Sequence, residues 1–170
     1  SVAGKYRPLK PEEINSIPKG NNLVSRKIDG ELWLAYIWKE GAILFTKGGR
    51  FIKEGQTIES LKGCLPDDIN SLIVAGELYI QKELRERVGD VAKAISQKNY
   101  NNLCFSIFDL VKIEGKVLAL NYEKKLEKIK EIFNSSNQSL SIVETKELND
   151  KKSIKDFYNK CVKQEKSEGI

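Results

Sequence analysis

Lys27-Ile28-Asp29-Gly30 places a primary amine two residues before a carboxylate and ends on a glycine, between two apolar runs. A lysine is a nucleophile only as the free amine, so its ordinary pKa of ~10.4 has to fall through desolvation or nearby cations. A lysine on a loop or strand edge held by a rigid sheet is a candidate for that. Alone the tetrapeptide is weak, because a chain with 29 Lys and Arg produces such combinations by chance. Four further motifs follow it in order: Thr46-Lys47-Gly48-Gly49-Arg50, Ala75-Gly76-Glu77-Leu78-Tyr79, Phe105-Ser106-Ile107-Phe108-Asp109-Leu110 and Lys166-Ser167-Glu168-Gly169-Ile170. Each sits at the end of an extended run or at a turn beside one, where side chains converge on a cleft. Each also has a plainer reading. Phe108 suits an apolar core, Glu77 a solvent-facing strand position, Gly48-Gly49 a hairpin turn and Arg50 a surface charge. The ordered set is far more specific than any member.

Composition narrows the chemistry. Histidine is absent, which removes Ser-His-Asp and Cys-His nucleophile systems, histidine-ligated zinc and the usual general base near neutral pH. Lys, Asp, Glu, Tyr, Cys and Arg remain, with room for a hard metal held by carboxylate oxygen. Cys64, Cys104 and Cys161 are an odd number without a CxxC pair, so neither a disulfide framework nor a zinc knuckle is expected, and a reducing, intracellular (cytoplasmic) setting is. The formal charge of +5 favours the approach of a polyanion but serves solubility equally well. No apolar run approaches the ~20 residues that cross a bilayer, so no membrane partner is expected. Methionine is absent and the chain starts at Ser1, which reads as a processed or trimmed polypeptide.

The elements that must hold these motifs follow from periodicity. Residues 6–18 carry Pro8, Pro11 and Pro18 and read as an extended arm with one helical turn at 12–17. A short strand over 23–26 precedes the Lys27 motif, and Glu31–Trp38 is apolar on both faces, as expected of a strand buried on both sides. Further strands are expected at 42–46, Ser71–Ile80, Leu103–Ile113 and 140–145, with one begun at 168–170. Helices are expected at 56–62, 82–98, 122–133 and 151–162, the third from Tyr122, Leu126, Ile129 and Phe133 on one face. The class is α+β, with antiparallel sheets flanked by helices, in a single domain.

Together the motifs resemble the covalent nucleotidyltransferase superfamily, most closely the adenylation domain of ATP-dependent DNA ligases, with RNA ligases as close relatives. The resemblance runs from about residue 23 to the end of the chain. It implies an ATP-grasp-like core around a nucleotide cleft, ATP as AMP donor, Mg²⁺ as cofactor and nicked DNA as partner, with RNA as the alternative. By this resemblance Lys27 attacks the α-phosphate of ATP to give lysyl-AMP, and Ser25 lies where relatives meet the adenine amino edge. Asp29, Gly30 and Lys47 join the ATP/AMP-binding set, and Lys47 and Arg50 are substrate-phosphate contacts. Glu77 corresponds to the acid on the ribose and metal side, Phe108 to the aromatic that stacks on the purine, and Glu168 to a metal-binding carboxylate. The residue types make sense physically: charge gathers on a phosphate under attack and needs cations, carboxylates hold a hard metal, and a flat base needs a flat apolar partner.

Two departures stand out. DNA ligases usually carry arginine two residues beyond the motif glycine, where this chain has Leu32. Some RNA ligases have an apolar residue there, which makes them the serious alternative, ahead of GTP-using capping enzymes and of a binding module without covalent chemistry. Gly76-Glu77-Leu78-Tyr79 and Phe108-Asp109-Leu110-Val111 lean back toward DNA ligases. Relatives also continue past the final Glu-Gly into a lysine-rich motif and, in DNA ligases, an OB-fold domain. Residues 1–170 therefore read as an adenylation domain incomplete after Ile170, expected to seal weakly or not at all alone.

Overall fold

A computed structural model describes residues 10–81, 88–134 and 137–170. A 3-10 turn, Pro11–Ser16, leads into β1 (Asn22–Ser25), β2 (Glu31–Trp38), β3 (Gly41–Phe45), β4 (Phe51–Ile52), α1 (Gln56–Leu61) and β5 (Ser71–Ile80). Next come α2 (Val88–Ser96), β6 (Leu103–Ile113), β7 (Lys116–Val117), α3 (Tyr122–Ile132), β8 (Leu140–Ile142), β9 (Thr145–Leu148) and α4 (Lys151–Tyr158), which runs into a π-helical turn, Asn159–Gln164. Asn121 and Asp150 cap α3 and α4 by accepting the N–H groups of Lys124 and Ser153, which satisfies donors that a helix start leaves orphaned.

Among the described residues the main sheet has the order β4-β3-β2-β5-β6-β7, with β8 parallel to β6 along its outer edge. A second sheet pairs β1 with β9. The principal core lies on one face of the main sheet. There Trp33, Ala35 and Ile37 of β2, Leu72, Val74 and Leu78 of β5, and Phe105, Ile107 and Leu110 of β6 pack with Ile58, Leu61, Val91, Ile129 and Phe133. A smaller cluster of Ile28, Ala75, Phe108 and Val143, with Leu34, Tyr79 and Val111 against it, ties the Lys27 motif to the sheet's other side.

Several expectations change in detail. β2 is buried on one face only: Leu32 is 47% and Tyr36 38% exposed, because the small cluster covers only part of the second face. The strand expected over 140–145 splits at Val143-Glu144, its first part joining β6 and its second crossing to β1. The last helix gives way to the π-helical turn. Lys27 and Gly169 meet in a single β-bridge rather than a strand pair. The expected helix over 82–98 is seen from Val88 to Ser96, its first six residues lying outside the described ones.

Candidate active site

Three backbone features bring the motifs together. The Lys27 N–H donates to the Gly169 carbonyl at 3.0 Å and the Glu168 N–H to the Lys27 carbonyl at 3.1 Å, so the first and last motifs are stitched to each other. Gly30 passes so close to β5 that a Cβ would stand 2.6 Å from the Leu78 carbonyl oxygen, and any side chain there pushes the Lys27 loop off the sheet. A Cβ on Gly76 would meet the Ser106 carbonyl oxygen at 2.6 Å and the Phe105 ring, so the residue beside Glu77 must also be glycine for β5 and β6 to close.

The Lys27 ammonium pairs with the Glu168 carboxylate, each side chain about one third exposed. Glu77 stands next to this pair. Its Oε2 is buried without a hydrogen-bond partner among the described residues. Burial pushes the Glu77 carboxyl up to about 7; Lys27 pulls it down, and Glu168, Asp29 and Glu31 push it further up. Lys27, Glu77, Glu168 and Asp29 thus share one electrostatic neighbourhood although they lie far apart in sequence. Glu77 faces Leu32 across β2 and Ser106 across β6, and cross-strand partners share a face.

Phe108 sits at an irregularity in the β5–β6 register, between the pairs Gly76–Ile107 and Ala75–Asp109. It is 8% exposed, as its core reading predicts, and it is the largest side chain of the small cluster that includes Ile28, next to Lys27. Two residues of α3 hold this stretch of β6: the Tyr122 hydroxyl donates to the Phe108 carbonyl at 3.0 Å, and Lys125 Nζ to Asp109 Oδ1 at 2.9 Å. Ser25 Oγ lies 2.8 Å from Thr145 Oγ1 on the paired strand, and the Thr145 hydroxyl donates to the Val143 carbonyl of the same cluster at 3.2 Å.

The second motif is held differently. Lys47 extends from the exposed β3–β4 turn, and no hydrogen bond or ion pair among the described residues ties it to Lys27 or Glu77. The Arg50 guanidinium is committed to both oxygens of Glu31 and lies over the Trp33 ring, 5.3 Å from its centroid. Burial pushes the Glu31 carboxyl up, but Arg50 and the Trp33 indole N–H, at 3.1 Å, more than offset this and hold it below the usual range.

Hard oxygen donors suit Mg²⁺, and the buried Glu77 oxygen, without a hydrogen-bond partner among the described residues and in the electrostatic reach of Glu168, fits a cation. Asp29, Glu77 and Glu168 do not close into a protein cage, which matches an ion that keeps waters and takes substrate oxygens. Among the described residues the one compact group of three possible metal ligands is Glu144, Cys161 and Glu165. Its carboxylates already meet Lys160 at 2.9 and 3.3 Å, and burial pushes the Cys161 thiol up to about 11, so it is an ion-pair network around a protonated thiol. Sequence reasoning missed Arg26, Thr145, Tyr122 and Lys125, whose partners lie on other elements and leave no local spacing signal.

Solved structures with the same fold have low identity to this chain. Pmar-Lig_Pre aligns with a TM-score of 0.68 and 14% identity over 93% of this chain and 39% of its own. A Lig E DNA ligase, from a structure-function analysis of DNA binding with a minimal scaffold, gives 0.58 and 17% over 91% and 56%. The mycobacterial DNA ligase D complexed with ATP and MES gives 0.59 and 17% over 86% and 46%. The chain therefore spans about two fifths to just over half of these proteins. No curated protein matches it significantly. The family model described as ATP dependent DNA ligase domain matches residues 8–170, nearly the whole sequence, and the chain belongs to that family.

Proposed function

We propose that this domain transfers AMP from ATP to its own Lys27, the first step of sealing a nick in DNA. The observation that carries the reading is the convergence of Lys27, Glu168 and the buried, unpartnered Glu77 oxygen beside the Phe108 cluster. The Lys27 amine adds to the α-phosphorus of ATP as the bond to the β-phosphate oxygen breaks. The amine loses its proton, pyrophosphate leaves, and a lysyl-AMP phosphoramidate remains. The Lys27–Glu168 contact has to open first, since an ammonium held by a carboxylate has no lone pair to give. The cluster around Phe108 receives the purine, and the Ser25–Thr145 hydroxyl pair lies where the base edge is read. Glu77 and Glu168 would hold Mg²⁺, which when bound neutralises the phosphate oxygens as charge gathers on them.

In the later steps AMP passes to a 5′-phosphate and a 3′-hydroxyl displaces it. These steps need contacts to nicked DNA, and we assign them to a longer polypeptide, with residues 1–170 alone sealing weakly or not at all. Family membership supports DNA over RNA as substrate. The three free cysteines support a reducing, cytoplasmic setting. Labelled ATP with Mg²⁺ tests the central step. The full-length protein should acquire acid-labile AMP, and Lys27→Ala should acquire none. Labelling of the alanine variant at the wild-type level would remove Lys27 from the chemistry.

A further inference from the structure

The residue before Lys27 grips the residue before Glu168. Arg26 Nε donates to Ser167 Oγ at 2.5 Å, and Arg26 NH1 lies 4.0 Å from Glu165 Oε2. Ser167 is buried, and its N–H donates to the Cys161 carbonyl at 2.9 Å. Lys166 takes a left-handed backbone with φ 58°, a conformation that few residues with side chains adopt, and this turn delivers Ser167 and Glu168 from the π-helical segment to the Lys27 loop. Lys160 reaches both Glu144 and Glu165, at 2.9 and 3.3 Å, and the Arg26 N–H donates to the Glu144 carbonyl at 2.9 Å. The Arg26 guanidinium therefore ties the start of the Lys27 motif to Ser167 and to Glu165 at the end of the π-helical turn, while the residue's backbone N–H holds Glu144 in the link between β8 and β9. Its planar fork of donors fixes direction as well as charge, which a lysine ammonium cannot do.

We propose that Arg26 is a positioning residue for AMP transfer: through Ser167 it holds the Glu168 carboxylate in register with Lys27 Nζ. This rests on the ligase reading above. Arg26 acts through Glu168, and a displacement of the order of 1 Å in such a constellation costs about a hundredfold in rate.

Arg26→Ala should slow lysyl-AMP formation about 10- to 100-fold at saturating ATP, with the half-saturating ATP concentration within about twofold of wild type. Ser167→Ala, which keeps the guanidinium, should shift the rate the same way by less, and Arg26→Lys should recover part of the loss. In a Glu168→Gln background Arg26→Ala should cost nothing further, because residues acting as one unit are not additive. Amide hydrogen exchange gives a readout independent of catalysis: the Glu168 N–H should exchange faster in Arg26→Ala while β5 amides keep their protection. A full additional loss in the Glu168→Gln background, a half-saturation shift as large as the rate change, or unchanged exchange at Glu168 would overturn the proposal. A wild-type protein that takes no label from ATP would instead defeat the ligase reading, and the exchange experiment would still decide whether Arg26 orders residues 167–168.

Discussion

Replacing Lys125 with methionine strips a buried carboxylate of its cation. Asp109 is 3% and Lys125 9% exposed, and their ion pair is 2.9 Å long. Desolvating two charges makes such a pair of little net worth against apolar residues of the same volume, but removing one partner leaves the other uncompensated at a cost of about 3–5 kcal/mol. For a domain of this size, roughly 2–4 °C of melting temperature per kcal/mol puts the loss at about 6–20 °C. Urea unfolding followed by tryptophan fluorescence, with the buried Trp33 as reporter, reads this directly. The double variant Asp109→Asn/Lys125→Met removes both charges and should regain most of the stability, ending within about 2 kcal/mol of wild type. A single variant that loses less than about 1 kcal/mol, or a double variant no more stable than the single, would refute the reasoning. The consequence reaches the site, because Asp109 follows Phe108 at the β6 irregularity and Tyr122, on the same helix as Lys125, holds the Phe108 carbonyl.

The Glu77→Gln change should stabilise the metal-free protein in a pH-dependent way. The folded carboxyl titrates at about 7 against an ordinary 4.5, so the folded state binds more protons than the unfolded one between these values and stability falls as pH rises through them. In chelator the variant should match wild type near pH 4.5 and exceed it by about 3 kcal/mol at pH 8, measured by urea unfolding at both pH values; an equal difference at both would contradict this. Gly30→Ala should cost about 1–3 kcal/mol by overpacking against the Leu78 carbonyl, with lysyl-AMP formation falling more than tenfold. Wild-type stability and labelling in that variant would show that β5 gives way.

The long elements were legible in the sequence, because each carries its period within itself. The expected strands Glu31–Trp38, Ser71–Ile80 and Leu103–Ile113 have the observed bounds, and helix α3 ends one residue before the expected Phe133. Residues 140–145 read as one strand because nothing local marks a change of sheet; the break at Val143-Glu144 comes from tertiary partners, with the Val143 side chain in the Phe108 cluster and the Glu144 carbonyl taking the Arg26 N–H. The exposed second face of β2 was hidden for a similar reason. An apolar residue such as Leu32 or Tyr36 reads the same whether or not another layer covers it. At the site, ordered motifs single out Lys27, Glu77 and Glu168 as candidates, and the fold brings these three together; Arg50 shows what spacing alone leaves out. Sequence order sets it beside Lys47 and its charge suits a phosphate, yet Glu31 and Trp33 hold it, and only coordinates reveal that competition.

The site concentrates negative charge in a chain whose net charge is +5. Asp29, Glu31 and Glu168 all act on Glu77, against the pull of Lys27, and this repulsion would push Glu77 away if side chains alone decided. The backbone prevents it. Glu77 is fixed by the β2–β5–β6 ladder, which Gly76 allows to close, and Glu168 by the bridge to Lys27. Glu31 is neutralised from outside by Arg50, which leaves Glu77 as the carboxylate that bears the desolvation. Its raised pKa and its buried oxygen without a hydrogen-bond partner among the described residues are two expressions of one cost, that of keeping a carboxylic acid in a place where folding alone would prefer an amide.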